Sequence, residues 1–142
     1  MIVVGVDGSE HASRALSWAL DEARLRGSPV KVVLAWNPPA PPGVPGFYAS
    51  SFQDPAPYRE GAEGLVETIA AEAARAADGV EIAHEAIQGS PAEALVRAAE
   101  DAELLVVGSR GHGGFSSLLL GSVSQQCVQH AHCPVVVVRH DG

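Results

Sequence analysis

Leu104-Leu105-Val106-Val107-Gly108-Ser109-Arg110-Gly111-His112-Gly113-Gly114-Phe115-Ser116-Ser117-Leu118-Leu119-Leu120-Gly121-Ser122-Val123-Ser124 reads as a short apolar strand, a glycine-rich loop and the first turn of a helix. Leu104 to Val107 is an unbroken apolar run, as expected of a parallel strand covered on both faces. Glycines at 108, 111, 113, 114 and 121 then interrupt regular structure. Beyond Gly121-Ser122, residues Val123, Cys127 and Ala131 recur at helical spacing and form one apolar face. Glycine lets a backbone approach an anion closely, while free amides and the positive dipole end of a helix attract negative charge. The stretch therefore has the layout of an anion-binding loop, with the Ser122 hydroxyl beside it.

Working outward, the same strand-then-helix unit repeats. Ile2 to Val6 is an apolar strand closed by Asp7-Gly8-Ser9. Ser9 is placed to cap a helix whose buried face is Ala12, Ala15, Leu16, Ala19, Leu20 and Ala23, with Gly27 as the stop. Val30 to Trp36 is a second strand. It is followed by a proline-rich segment, 37–48, that suits neither helix nor central strand; Phe47 and Tyr48 in it are expected to cover the site in part. A helical pattern runs from Pro55 to Ala77 through Leu65, Val66, Ile69, Ala70, Ala73 and Ala77, and Asp78-Gly79 ends it. Val80 to Ile87 alternates apolar residues with Glu81, His84 and Glu85, the pattern of a strand at a sheet edge. Ser90-Pro91-Ala92-Glu93 is a helix start of the capping-box kind. After the glycine loop comes a helix from about Gly121 to Ala131, and Pro134 to Val138 is the last strand.

Strict alternation predicts one domain over residues 1–142: an α/β fold with an open five-stranded parallel sheet, right-handed crossovers and helices on both faces. Of the two common strand orders, 2-1-3-4-5 would bury the charges of the third strand at the centre. The order 3-2-1-4-5 puts that strand at an edge and is preferred. It also makes strands one and four neighbours where the chain reverses direction, so that Asp7 and Gly108 face one crevice. Strand five then lies on the other edge, where Val135, Val136, Val137 and Val138 would leave an apolar row unpaired. A homodimer through those four valines is expected.

Composition narrows the function. Seventeen acidic and nine basic residues give a net charge of −8, with a single lysine, Lys31, and no basic cluster. A nucleic-acid backbone would be repelled. No apolar run approaches the roughly 20 residues that span a bilayer, and Met1 to Val6 reads as a strand and not as a signal peptide, so a cytoplasmic protein is expected. Cys127 and Cys133 read as reduced core residues, and the spacing of His130, His132 and Cys133 matches no familiar zinc pattern. The P-loop motif G-x-x-x-x-G-K-[ST] is absent. A bound triphosphate would rest on backbone amides, hydroxyls, Arg110 and a divalent cation.

The spacing Gly108-x2-Gly111-x9-Gly121-Ser122 resembles the G-x2-G-x9-G-[ST] motif of the universal stress protein family. The resemblance extends from Val3-Val4-Gly5-Val6-Asp7-Gly8-Ser9 through Val33-Leu34-Ala35-Trp36 and Gly89-Ser90-Pro91 to Cys133-Pro134-Val135, and is closest to the single-domain, ATP-binding branch. It implies a Rossmann-like fold of the adenine nucleotide alpha-hydrolase type and dimerisation through the last strand. By position it implies Asp7, with Gly8 and Ser9, near the ribose or base, and Ala35 beside adenine. Val107 and Gly108 would lie at the ribose, and Gly111, Gly121, Ser122 and Ser124 around the phosphates, with Arg110 and Val123 in the same shell. ATP with Mg2+ or Mn2+ is the ligand implied. Leu34 stands where members often carry histidine, and His132 where many have proline.

No catalytic residue is assigned. An ATPase needs a group to orient water, and His112 is the one titratable candidate in the loop. The function expected is a nucleotide-binding regulator of the stress response. The alternatives are a slow ATP hydrolase or autophosphorylating protein using Ser122 or a nearby hydroxyl, a cyclic AMP binder, and a structural or partner-binding module.

Overall fold

A computed structural model describes residues 1–39, 54–110 and 120–139. In chain order the elements are β1 (Ile2–Val6), α1 (Glu10–Arg26), β2 (Val30–Trp36), α2 (Ala56–Ala76), β3 (Ile82–Gln88), α3 (Pro91–Ala98), β4 (Leu104–Gly108), α4 (Ser122–His130) and β5 (Val135–Val138). The strands form one sheet in the order β3-β2-β1-β4-β5, and every pairing is parallel. This is the order expected from the charges of the third strand.

Alternation within each strand builds a core on each side of the sheet. Ile2, Val4, Val6, Val30, Val32, Leu34, Leu104 and Val106 pack against α1 and α2. Val3, Val33, Leu105 and Val107 pack with Leu95 and Ala99 near α3 and with Cys127 of α4. Helix α1 buries the six residues that its spacing singles out, Ala12, Ala15, Leu16, Ala19, Leu20 and Ala23. Burying Leu16 and Leu20 contributes about 1.5–3 kcal/mol each, while the alanines let the helix lie close to the strands. Its ends are fixed locally: the Ser9 side chain accepts from the Ala12 amide, and Gly27 closes the helix at φ 67°.

Two details differ from the sequence reading. Leu65 is 42% exposed, because the buried row of α2 is Ala62, Val66, Ala70 and Ala73, continued by Ala77, and Leu65 lies about 100° around the helix from Val66. Val80 belongs to a turn and not to β3. Asp78 and Gly79 take positive φ, and the Val80 amide donates back to Ala77 O at 3.3 Å, so pairing starts two residues later.

The two sheet edges are unlike. On β3, Ala83, His84 and Glu85 are exposed, and Lys31 of β2 reaches across to Glu85 at 2.6 Å. On β5 all four valines are half-buried. Pro134 O and Val138 O accept from the amides of Leu105 on β4 and of Ser109 just past its end. Alternation in a parallel ladder then turns the amides and carbonyls of Val135 and Val137 outward.

Candidate functional site

In an open parallel sheet the carboxyl ends of the strands meet the loops that can hold a ligand. Here β1 and β4 are adjacent, with Val4 paired to Val106. Continuing that register sets Val6 beside Gly108, and Asp7 lies just past the strand end. Asp7 is exposed, and its Oδ1 accepts from the Ser9 amide at 2.9 Å, holding the turn in which Gly8 takes φ 85°. The turn passes directly into the Ser9 cap, so Asp7, Gly8 and the start of α1 stand together at the carboxyl end of β1.

Gly108, the last residue of β4, lies against the first turn of α1. A Cβ there would stand 2.9 Å from the carbonyl oxygen of His11 and 3.2 Å from its Cβ. The side chain is therefore excluded by the first turn of α1, whether or not a ligand is present. Next to it Val107 is 3% exposed and part of the core, so only its backbone can serve a ligand. Ala35, next to the last residue of β2, is half-buried.

The end of β4 is joined through Ser109 to the start of α4. Gly121 is its N-cap, Ser122 is exposed in its first turn, and Val123 packs toward the core. Helix geometry leaves the amides of Ser122, Val123 and Ser124 without intrahelical acceptors and gives this end a positive potential. Ser124 is 2% exposed, and its hydroxyl donates to Gly121 O at 2.9 Å and toward Ser109 O at 3.3 Å. The Gly121 amide donates to Ser109 O at 2.6 Å, and the Ser109 amide to Val138 O at 2.9 Å. Arg110 follows, half-buried. Gly111 and His112, and Phe47 and Tyr48 of the proline-rich segment, lie outside the described residues.

The structure thus gathers Asp7, Gly8, Ser9, Gly108, Arg110, Gly121 and Ser122 around the carboxyl ends of β1 and β4, with Ala35 one strand away. Three residues there had no signal in the sequence reading. Ser109 is buried at the base of the loop and His11 packs on Gly108. Trp36, at the end of β2, has the Arg59 guanidinium 5.9 Å from its ring centroid, within cation–π range. All three depend on contacts between distant segments.

Elsewhere, burial pushes the Cys127 thiol up to about 11 and raises that of Cys133, so both stay protonated at neutral pH. No three His, Cys, Asp or Glu side chains gather as a metal cage among the described residues, and no helix among them is long and apolar enough to cross a membrane. A groove of about 500 Å³ runs between α3 and α4, where Glu93 and Glu100 stand beside Arg97, His130 and His132. It lies on the flank, apart from the carboxyl ends of β1 and β4.

The profile of the universal stress protein family matches residues 1–139. A universal stress protein of Thermus aquaticus is 40% identical over 143 residues, covering 97% of each chain. Mycobacterial universal stress proteins match at 36%, and this chain spans 45% of their length. Among solved structures, a universal stress protein in complex with cAMP is 27% identical with a TM-score of 0.68, covering 96% of this chain and 94% of that one. One from Archaeoglobus fulgidus in complex with dAMP is 25% identical with a TM-score of 0.65, covering 96% and 95%.

Proposed function

Because this chain belongs to the universal stress protein family, we propose that it is an adenine-nucleotide-binding regulator of the stress response, with ATP as the ligand that sets conformation or partner choice. The observation that supports this is the meeting of Asp7, Gly108 and the Gly121-Ser122 helix start at the carboxyl ends of the adjacent strands β1 and β4. An anion suits the helix end, and a ribose or base suits a carboxylate beside small residues. Asp7, Gly8, Ser9, Ala35, Val107 and Gly108 would contact the nucleoside. Arg110, Gly111, Gly121, Ser122, Val123 and Ser124 would surround the phosphates. Mg2+ or Mn2+ would be held chiefly by phosphate oxygens, since no protein cage stands among the described residues.

The working unit is one domain, cytoplasmic and dimeric through Val135 to Val138. Support for the dimer is the outward row of Val135 and Val137 backbone groups on a half-buried apolar edge. A second ligand, a monophosphate such as cyclic AMP, is favoured by the relatives solved with cAMP and dAMP. Thermal unfolding with ATP, ADP, AMP and cyclic AMP, with and without Mg2+, separates these. At ligand about 100 times its dissociation constant the native state gains roughly 2.7 kcal/mol. A rise with ATP that Gly111→Val abolishes is expected. A larger rise with cyclic AMP would favour the monophosphate, and no rise in ligand-free protein would remove nucleotide binding.

A further inference from the structure

We propose that the Ser124 hydroxyl positions the nucleotide site and does not itself bind the phosphates. The inference rests on the carboxyl ends of β1 and β4 being a nucleotide site, and it divides the labour between two hydroxyls that the sequence places almost side by side. Helix α4 turns them to different surroundings: Ser122 is exposed, whereas Ser124 is 2% exposed. A serine hydroxyl has one proton to donate. An ionised phosphate offers only acceptors, so a hydroxyl that binds it must donate that proton. In Ser124 the proton is directed at the carbonyls of Gly121, at 2.9 Å, and Ser109, at 3.3 Å. Both carbonyls also hold a backbone donor, the Gly121 amide on Ser109 O at 2.6 Å and the Gln125 amide on Gly121 O at 3.0 Å; the hydroxyl adds a further bond within that junction and, 2% exposed, is committed to it in place of solvent.

Those same bonds fasten the base of the loop. Ser109 O receives the Gly121 amide as well as the Ser124 hydroxyl, and the Ser109 amide is given to Val138 O. The end of β4, the first turn of α4 and the last residue of β5 are thereby held at one point. Holding these three ends in place before a ligand arrives favours binding by preorganisation. It also fixes the direction of the Ser122 and Val123 amides at that end of the sheet. The Ser124 hydroxyl thus acts on the ligand through Ser109 and Gly121.

The test combines hydrogen exchange of the nucleotide-free protein with nucleotide titration. A helix N-cap amide ordinarily exchanges fast, so protection of the Gly121 amide in the wild-type chain is the first expected result; fast exchange there overturns the proposal without any variant. Ser124→Ala should speed exchange at Gly121, weaken ATP about threefold to tenfold, and leave adenosine, which lacks phosphates, within about twofold. Ser124→Thr, which keeps the hydroxyl, should restore both properties. ATP weakened with Gly121 exchange unchanged would make Ser124 a direct ligand, and no change in either would leave it without a role; both overturn the proposal. Failure of the wild-type chain to bind any nucleotide would remove the functional reading separately, with the Gly121 exchange of Ser124→Ala still deciding for or against the clamp.

Discussion

At the amino edge of the sheet each strand is tied to its neighbour as it enters. Ile2 donates to Pro29 O, Val30 to Glu81 O, Glu103 to Met1 O and Leu105 to Pro134 O, all at 2.9–3.0 Å. Side chains reinforce this: Glu103 receives the Met1 ammonium at 2.8 Å and the Ser28 hydroxyl at 2.9 Å, with Arg26 at 3.4 Å. The carboxyl edge is built from other materials: Gly8 at positive φ, Gly108 under the first turn of α1, an exposed Asp7 and the start of α4. Beside the Ser109 clamp and the Gly89–Trp36 bond at 3.0 Å, β1 and β3 here pass through short turns into helix starts. The same sheet has one end that holds it together and one end organised around an opening. Changes at the first should alter stability alone, and changes at the second should alter ligand binding as well.

The largest effect expected is that of Gly108→Val. The new side chain must displace the His11 carbonyl, which is backbone and cannot rotate aside, so a loss of about 2–3 kcal/mol is predicted. Nucleotide binding should fall too, because the first turn of α1 moves with it. Urea unfolding and titration of the folded variant measure the two losses, and a stable variant with full affinity would break the contrast between the ends.

The edge strand allows a finer cut. Val137→Pro removes an outward amide and Val136→Pro an inward one. Light scattering should show a dimer for the wild-type chain and a monomer for Val137→Pro. Val136→Pro should in addition lose stability by about 1 kcal/mol or more, since it cuts the ladder to β4. A monomeric wild-type chain at micromolar concentration would exclude the dimer.

The smallest effect belongs to the amino edge. The Met1 ammonium, then the Ser28 hydroxyl, hold the Glu103 carboxyl below its ordinary value. A carboxylate whose folded value is depressed stabilises fully above the unfolded range, and the gain is lost as pH falls through the folded value. Glu103→Gln should flatten that acid-side slope in a denaturation series and leave nucleotide affinity unchanged. An altered affinity would mean that the two ends are coupled.

These contrasts were only partly written in the sequence. The apolar face of α1, the Ser90 cap and the β3 edge follow from local spacing and charge, and the structure has them where that spacing puts them. From the edge position of β3 the strand order follows, and with it the meeting of Asp7 and Gly108. What spacing cannot convey is direction and distance between remote segments. Ser122 and Ser124 look alike in the chain, yet only the packing of α4 on the end of β4 buries one of them. Gly108 reads as a glycine kept small for a ligand, and the atom nearest its missing side chain belongs to His11. Leu65 reads as core because it is leucine, although the row that faces the sheet is made mostly of alanine.

The most direct test of the nucleotide crevice is an amide-resolved NMR titration of the wild-type chain with ATP and Mg2+. Shifts are predicted at residues 7–9, 35–36, 108–110 and 121–124, with Ser28, Gly79 and Glu103 at the amino edge unmoved. Shifts confined to the groove between α3 and α4 or to the amino edge, or none at saturating ATP, would contradict a nucleotide site at the carboxyl ends of β1 and β4.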